Sequence, residues 1–262
     1  MKKNLLDVIF ASDKRKNVLL FLQDGPQEMR SILNSLRTTR QALLPQVRVL
    51  EEHKLLRKDE GDVYELTVIG KLVVSEMLPL LDLVDALDEN IHYWGTHDLS
   101  FIPPHLLKRL DELQSSTVIE PDLSVIYEIN RGFMEKTRKS KSLTSFTTFL
   151  FPNYASFISE WRDCGVDISL IITKELFEKL KIENTDYLRK YVTEGYGELF
   201  VYDKDINVIS FSQNDYCLMF RLFTKEGNFD NKLLMIHGPK AFEWGKELFE
   251  YYKQESIPIT QV

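Results

Sequence analysis

The chain contains 262 residues, of which 44% are hydrophobic and 28% are charged, a composition typical of a globular protein. No stretch has the roughly 18 consecutive apolar residues of a membrane-spanning helix, and charges interrupt the N-terminal apolar segment, so we expect neither a membrane span nor a signal peptide. The two cysteines, Cys164 and Cys217, are too few for a disulfide framework or a cysteine-based zinc site, and they predict a cytoplasmic location.

The charge is distributed unevenly along the chain. The formal net charge is −7, but residues 1–60 carry 12 basic and 8 acidic residues, a balance of +4, and the remainder carries −11. A basic head on an acidic body predicts that only the head contacts nucleic acid. The alternative is that so modest an imbalance arose by chance.

Three short helices are predicted at the start of the chain. Apolar residues recur at three- and four-residue intervals within Lys3–Phe10, Asp13–Gln23 and Gln27–Leu33. Asp24-Gly25-Pro26 predicts a turn before the third helix, and Asn34-Ser35 ends that helix. A fourth helix follows directly.

The stretch Thr39–Leu56 predicts the amphipathic helix around which this head is organised. Its apolar residues follow the spacing of one helical face: Leu43, Val47 and Leu50. The Thr39 hydroxyl is expected to cap the first turn. Pro45 lacks an amide hydrogen and predicts a kink or a 3₁₀ start, which makes Arg48, beyond it, a firmer expected contact than Arg40.

The polar residues of this region predict a DNA-binding surface. Residues 55–58 and 63–66 read as two short strands around a glycine-containing turn. A helix-turn-helix followed by a basic hairpin is the pattern of a winged helix, whose second helix enters the major groove. The helix is expected to contact base edges or phosphates, and the hairpin to hold phosphate. The predicted DNA-binding residues are Thr39, Arg40, Gln41, Arg48, Arg57 and Lys58.

A long helix, Val68–Asn90, is predicted after the hairpin, with Thr67 as its cap and a bend at Pro79. Its apolar stripe is wider than the head alone needs. We expect it to form a dimer seam, and the alternative is that it packs on the head or on the second domain.

A histidine-containing connector, Ile91–Gln114, follows the long helix. His92, His97 and Asp98 invite a metal site, but Gly95 argues against a helix that would align the histidines, and no third ligand has a recognised spacing. The sequence therefore predicts a structural connector without a metal ion, continuing into a helix at His105–Leu113.

Beyond Ser116 helices and strands alternate, which predicts a mixed sheet flanked by helices. Val166–Thr173 is almost continuously apolar, as in a strand buried on both faces. The other predicted strands are Thr117–Glu120, Leu143–Phe151, Glu198–Asp203, Asn207–Ser212, Cys217–Thr224 and Lys232–His237. The predicted helices are Asp122–Lys139, Asn153–Asp163, Lys174–Leu180, Tyr187–Val192 and Ala241–Gln254.

No catalytic motif is found along the chain. Glycine-rich phosphate loops, serine-hydrolase elbows and the H-E-x-x-H zinc motif do not occur, so no catalytic residue and no cofactor is predicted. Asp163 beside Cys164 disfavours a reactive thiolate. Aromatic residues of the second domain either line a pocket for an unknown small-molecule effector or form the core: Tyr196, Tyr202, Phe211, Tyr216, Phe220, Phe223 and Trp244.

Two sets of residues carry a family resemblance. Residues 42–52, the hairpin and Leu66–Lys71 resemble the winged-helix domains of arsenic-repressor-type regulators. His97–Pro103 and Glu243–Tyr252 make nearly the whole chain similar to a family of archaeal regulators, common in methanogens, that includes a methanogenesis regulatory protein. The resemblance implies transcriptional regulation with double-stranded DNA as partner, and it implies no particular effector.

The predicted strand order of the second domain also resembles a phospholipase D-type half-domain. Such enzymes need a His-x-Lys pair, in which the histidine attacks phosphorus and the lysine holds phosphate. His237 and Lys240 have the wrong spacing, and no other histidine precedes a lysine by two residues. A sensor or dimerisation domain without this chemistry is therefore expected.

The sequence thus predicts a two-domain α/β protein (α+β in arrangement) with a winged helix-turn-helix at 1–67, linker or dimerisation helices at 68–115 and an effector-sensing domain at 116–262. The expected function is that of a homodimeric, DNA-binding transcriptional regulator. A winged helix used only for protein contacts and a phosphodiesterase-like enzyme are the alternatives.

Overall fold

The computed structural model of the protein describes residues 4–59, 61–122, 128–183, 188–189, 191–192 and 195–261. The chain divides into two compact units, Met1–Asp82 and Leu83–Val262. The predicted α/β class, with a winged-helix head in the first unit and a mixed sheet in the second, is confirmed. The predicted domain bounds stay predictions, whereas the compact units divide the chain between Asp82 and Leu83.

The first unit contains short helices and a small sheet. Its helices are α1 (Leu5–Phe10), α2 (Asp13–Phe21), α3 (Met29–Ser35), α4 (Arg40–Glu52) and the start of α5 (Val68–Asp88), with a 3₁₀ turn at Leu22–Asp24. Its described strands are β1 (Gln27–Glu28), β2 (Leu56–Lys58) and β3 (Val63–Leu66), in the order β1-β3-β2.

The predicted helix Gln27–Leu33 is wrong in its first two residues. Gln27 and Glu28 pair with Tyr64 and Val63 of the hairpin, and the helix begins at Met29. The edge of β3 supplies hydrogen-bond partners for the extended chain at these two residues. This pairing attaches the helix-turn-helix to the hairpin.

Helix α4 buries the face that its spacing predicts. Leu43, Val47 and Leu50 are fully buried in the core of the first unit, and each such side chain contributes roughly 1.5–3 kcal/mol. Thr39 caps the helix as predicted, because its hydroxyl accepts a hydrogen bond from the amide of Ala42 at 3.4 Å. Pro45 does not divide the helix, which runs without interruption from Arg40 to Glu52.

The junction between α4, β2 and α5 is tied together by Thr67. Its hydroxyl donates to the carbonyl of Lys54 at 2.6 Å and accepts from the amide of Gly70 at 3.0 Å, and its own amide donates to the carbonyl of Leu55 at 3.1 Å. A Cβ at Gly70 would lie 1.9 Å from the Leu55 carbonyl oxygen. The first turn of α5 therefore lies in direct backbone contact with Leu55, in the link between α4 and β2.

The second unit contains α6 (Ile91–Thr96), α7 (Pro104–Leu107), a 3₁₀ turn at Leu110–Leu113, α8 (Arg131–Thr137), α9 (Tyr154–Asp163), α10 (Lys174–Glu183) and α11 (Pro239–Gln254). Its strands are β4 (Ser116–Ile119), β5 (Ser142–Thr147), β6 (Asp167–Thr173), β7 (Glu198–Tyr202), β8 (Ser210–Asn214), β9 (Leu218–Arg221), β10 (Leu233–Ile236) and β11 (Ile257–Pro258).

The described strands form an eight-stranded mixed sheet in the order β11-β7-β6-β5-β8-β9-β10-β4. The neighbours β5, β6 and β7 are parallel, and every other pairing of described strands is antiparallel. One hydrophobic core lies on each face of the sheet. Helices α6 and α11 contribute to one core, and α8, α9 and α10 contribute to the other.

Several predicted helix bounds in this unit are wrong. Gly95 lies within α6, which is short enough to accommodate one exposed glycine. Within the described part of the predicted helix Asp122–Lys139, residues 128–130 are not helical and α8 runs from Arg131 to Thr137, capped by Asn130, which accepts from the amide of Phe133. The predicted helix His105–Leu113 is divided into α7 and the 3₁₀ turn.

Two predicted helices lie partly outside the residues that the structure describes. Residues 123–127 of the predicted helix Asp122–Lys139, and much of the predicted helix Tyr187–Val192, lie outside the described residues. Among the described helices, none has the length and apolar character needed to cross a membrane.

Gly70 provides a test of the junction between α4, β2 and α5. We expect Gly70→Ala to lower the free energy of unfolding by about 2–4 kcal/mol, because the added methyl group meets a backbone carbonyl held by Thr67. Gly95→Ala is the matched control, since nothing lies within 4 Å of its added Cβ. Urea denaturation of the full chain measures both, and equal stability of the two variants would contradict the close contact.

Candidate nucleic-acid interface

The exposed side of α4 carries the predicted reading residues. Gln41, Pro45 and Arg48 lie on the side opposite the buried face, at intervals of four and three residues, and all three are exposed. Neither Gln41 nor Arg48 has a side-chain hydrogen bond or ion pair among the residues that the structure describes. Both side chains are therefore available to an external partner.

Asp62, at the tip of the hairpin, brings together two predicted DNA-binding residues. The Arg40 guanidinium contacts its carboxylate through two hydrogen bonds, of 2.9 and 3.2 Å, and the Lys58 ammonium lies 2.9 Å from it. Gly61 and Asp62 both adopt positive φ angles, 106° and 66°, which turn the hairpin tip so that the carboxylate faces both cations. The tip thus joins the start of α4 to the wing.

The electrostatics of this cluster favour the ionised forms of all three groups. Hydrogen bonds from Arg40 and then from Lys58 lower the pKa of Asp62 to about 2. The same contacts raise the pKa of Arg40 and of Lys58. All three side chains are at least partly exposed, so the pairs are screened by water and can exchange for an external anion.

The remaining predicted residues have local partners. Arg57 pairs with Glu65, its cross-strand neighbour, at 2.6 Å. The Thr39 hydroxyl caps α4 and so stabilises the N-terminus of this helix. The structure thus brings Arg40 and Lys58 together, and it leaves Arg48 and Gln41 without partners among the described residues.

Two exposed arginines of the helix-turn-helix were not predicted as site residues. Arg30 lies on α3, and Arg37 lies in the turn before α4 with a positive φ of 46°. Neither has an ion pair among the described residues. Arg37 follows the end of α3 by two residues. Its place in the turn of the helix-turn-helix could have identified it from the sequence as a candidate DNA contact.

The histidines of the connector form no metal site in the described chain. His97 is buried and stacks on Tyr93 with ring centroids 3.9 Å apart, and its Nε2 lies 3.2 Å from a carboxylate oxygen of Asp230. His92 is exposed on α6. Among the described residues, no group of three potential ligands is close enough to hold an ion.

The aromatic residues singled out in the second domain mostly form its core. Phe211, Phe220 and Trp244 are fully buried and pack against one another and against Tyr202 and Tyr252. The pocket interpretation of these residues is therefore wrong. Burial also raises the pKa of the Cys217 thiol to about 11, and neither cysteine forms a disulfide.

Comparison with known proteins assigns the chain to a family. Residues 3–85 match the N-terminal domain of the methanogenesis regulatory protein FilR1, and residues 126–255 match the middle domain of the same protein. The chain belongs to the FilR1 family. This family is the one that the sequence resemblance indicated.

One relative in the FilR1 family is the methanogenesis regulatory protein FilR1 of Methanothrix harundinacea, strain 6Ac. It is 26% identical to the chain over 260 residues, which cover 97% of the chain and 58% of the relative. The chain therefore spans little more than half the length of this relative.

Two solved structures are also similar to the chain. TrmBL2, described as an archaeal chromatin protein, has 17% identity and a TM-score of 0.44, with 97% of each chain covered. Nuc of Salmonella typhimurium, a phospholipase D family member, has 13% identity and a TM-score of 0.41, with 56% of this chain and 99% of that one covered. Both scores are too low to transfer a function, and the phospholipase D-like topology stays a prediction.

The Asp62 cluster gives a prediction that does not depend on DNA. We expect Arg40→Ala to raise the pKa of Asp62 from about 2 toward its ordinary 3.8, because the larger of the two hydrogen-bonding contributions is lost. Carboxyl ¹³C NMR during acid titration measures it. Since the folded-state pKa is lowered, the pairs stabilise the head above pH 3.8, and this contribution is lost as the pH falls through about 2.

Lys58→Ala is the companion variant in this titration. Its effect on the pKa of Asp62 should have the same direction and be smaller than that of Arg40→Ala. An unchanged midpoint for Asp62 in both variants would contradict the bridging role of this residue.

Proposed function

We propose that the protein is a homodimeric transcriptional regulator that binds double-stranded DNA through its winged helix, while its second unit senses a ligand. The carrying observation is the free, exposed polar side of α4, which lies on a winged helix-turn-helix of a regulatory family. The FilR1 relative of Methanothrix harundinacea is a methanogenesis regulatory protein, which supports a regulatory role. The cytoplasmic location stays a prediction.

The proposal assigns different roles to the exposed side of α4 and to the hairpin. Gln41 and Arg48 have free side chains that suit bidentate contacts with base edges, each worth roughly 1–3 kcal/mol of discrimination. Arg40, Arg57 and Lys58 are ion-paired near the hairpin and suit phosphate oxygens, which would replace the carboxylates of Asp62 and Glu65. Thr39 stabilises the first turn of α4 by capping it.

The charge of the rest of the chain supports contact through the head alone. Residues beyond 60 carry a net charge of −11, whereas the head carries +4. Polyanionic DNA is repelled by the former and attracted by the latter. The charge distribution therefore orients the protein on DNA before any specific contact forms.

Arg48 gives the main test of the proposed function. We expect Arg48→Ala to weaken operator binding about tenfold, because a base or phosphate contact is lost while the fold is kept. Arg40→Ala should weaken it less, since its partner is already a carboxylate. Lys14→Ala is the matched control: Lys14 is an exposed cation of the same head on α2, away from the proposed surface.

The measurement needs an operator, which genome-wide immunoprecipitation of the DNA bound to the full chain supplies. Gel-shift titration on that operator then compares the three variants with the parent protein. Equal affinities for the Arg48 and Lys14 variants would overturn the assigned surface. Failure to recover any enriched DNA would favour a winged helix used for protein contacts.

The dimer is proposed to form through an apolar surface made by α1 and the first turns of α5. The surface encloses a groove of about 420 Å³ that contains a single charged residue, Glu76. Several of its large apolar side chains are exposed: Leu5, Leu6, Phe10, Ile69, Leu72 and Leu80. An apolar surface with so little charge suits a second copy of itself in a two-fold interface, and two-fold dimers match two-fold operators.

Leu72 gives the test of the dimer. We expect Leu72→Asp to convert the protein to a monomer at micromolar concentration, because a charge would be buried in an apolar interface. Ile182→Asp is the matched control, since Ile182 is 85% exposed on α10, outside this surface, and Leu72 is 63% exposed. Sedimentation velocity measures the mass, and a parent protein that sediments as a monomer would overturn the proposal.

A further inference from the structure

Arg221 is a buried charge that has no carboxylate partner among the described residues. It ends β9 with 1% of its surface exposed, and its Nε and Nη1 atoms have no hydrogen-bond acceptor among the described residues. Burial lowers the pKa of its guanidinium, and no carboxylate opposes that effect. A buried cation in this condition costs stability unless an anion reaches it.

The surroundings of Arg221 form a polar strip on one face of the sheet. Ser210 lies directly opposite Arg221, and Thr147 lies directly opposite Ser210 on the next strand. Residues that face each other across neighbouring strands share one side of a sheet. All three are buried, so the guanidinium ends a row of hydroxyl groups on a face where Ser145 and Ser212 form a second buried hydroxyl pair.

A cavity adjoins this strip. The Arg221 guanidinium lies over the ring of Phe151, with its Cζ atom 5.0 Å from the ring centroid. Phe151, together with Phe149 and Tyr154, lines a cavity of about 470 Å³ and also a smaller space of about 30 Å³ that reaches Thr147 and Ser210. The two spaces share these three residues, so a ligand in the larger one is next to the polar strip.

Trp161 supplies a second donor without an acceptor at the smaller space. Its indole lines that space, it is 1% exposed, and its Nε1 atom has no partner among the described residues. Buried donors are almost always paired in native proteins. Arg221 is not itself among the residues that line either space, but it lies against Phe151, which lines both. Two donors that lack acceptors among the described residues therefore lie close to these spaces, and an acceptor from outside the chain would satisfy them.

The position and size of the cavity suit a small molecule. Its lining begins with Thr148, directly after β5 ends, and includes Glu175 of α10, which follows β6. Ligands of sheets with parallel strands bind beyond the carboxyl ends of those strands. A volume of about 470 Å³ lies within the usual range for small-molecule sites.

We propose that the second unit binds an amphipathic monocarboxylate, with its carboxylate at Arg221 and Trp161 and its apolar body in the larger cavity. Leu150, Leu176 and Leu180 supply the apolar lining. One guanidinium balances one negative charge. The cavity lining also carries Glu175, Lys179 and Glu183, and because Lys179 pairs with Glu183 the net charge of the lining is −1, which disfavours a dianion such as a phosphate monoester. The inference rests on the proposed sensor role and names its ligand class.

The test measures binding to the full chain without DNA. Octanoate should raise the melting temperature by about 3 °C at about 10 mM, whereas octanamide, with the same apolar chain and no charge, should not. Octyl phosphate should bind more weakly than octanoate. Isothermal titration calorimetry gives the dissociation constants for the comparison of variants.

Arg221→Met is the decisive variant. Removing a buried charge that lacks a partner should raise the melting temperature of the ligand-free protein, and it should weaken octanoate binding about 10- to 100-fold. Arg162→Met is the matched control, because Arg162 also lies over an aromatic ring, that of Tyr196 at 4.5 Å, but is exposed. Its octanoate affinity should equal that of the parent protein.

Trp161→Phe provides a second variant in case Arg221→Met fails to fold. It removes the indole donor together with part of the buried ring volume, and it should weaken octanoate binding several-fold while octanamide stays inert. Equal responses to octanoate and octanamide would overturn the proposal. So would no response to hexanoate, octanoate or phenylacetate, or unchanged octanoate affinity in both variants.

The test of carboxylate binding and the test of operator binding can fail independently of each other. Loss of carboxylate binding with operator binding intact would reject the ligand class and leave the regulator. Carboxylate binding by a chain that enriches no DNA would support the site and reject the regulator.

Discussion

The direct backbone contact between Gly70 and the carbonyl of Leu55 is the constraint on which the first unit depends. Only a residue without a side chain lets α5 start this close to the end of α4, and the Thr67 hydroxyl then links both sides. Three segments are fixed at one point: the recognition helix, the hairpin and the long helix. The hairpin tip is consequently held where Asp62 meets Arg40, 22 residues away in sequence.

The second unit obeys a different constraint, that of a sheet covered on both faces. Most side chains between the sheet and its helices are apolar. The buried polar residues Ser145, Ser212 and Asn214 have hydrogen-bond partners, whereas Arg221 has no acceptor for its Nε and Nη1 atoms among the described residues. Folded proteins depart from a consistent core mainly where function requires it. The departure here lies next to the cavity. The buried arginine therefore indicates a binding site more directly than the many aromatic residues of the opposite core do.

The helices and strands that could be predicted from the sequence are those whose apolar residues recur at a regular spacing. Leu43, Val47 and Leu50 were found because a helix repeats every 3.6 residues, and the strand of residues 167–173 because a sheet covered on both faces leaves a continuous apolar run. The sequence did not predict contacts made by turn residues, so Asp62 was read only as part of a turn. Arg221 was missed because a single basic residue in a strand carries no sign of its burial.

The local errors have the same physical origin. Gln27 and Glu28 carry helical spacing, but the edge of β3 offers them hydrogen bonds that a local pattern does not reveal. Gly95 was assigned a helix-breaking role that its exposed position in a short helix does not demand. In each instance a tertiary neighbour or its absence outweighed intrinsic preference.

Asp62 also affects how the head would respond to ionic strength. A free cation that reaches a DNA phosphate displaces a counterion condensed on the DNA, and this release makes binding sensitive to salt. When Arg40 or Lys58 leaves Asp62 for a phosphate, the vacated carboxylate attracts a cation from solution and offsets part of that release. In the proposed complex with DNA, the slope of affinity against salt concentration would therefore undercount the phosphates that the head contacts.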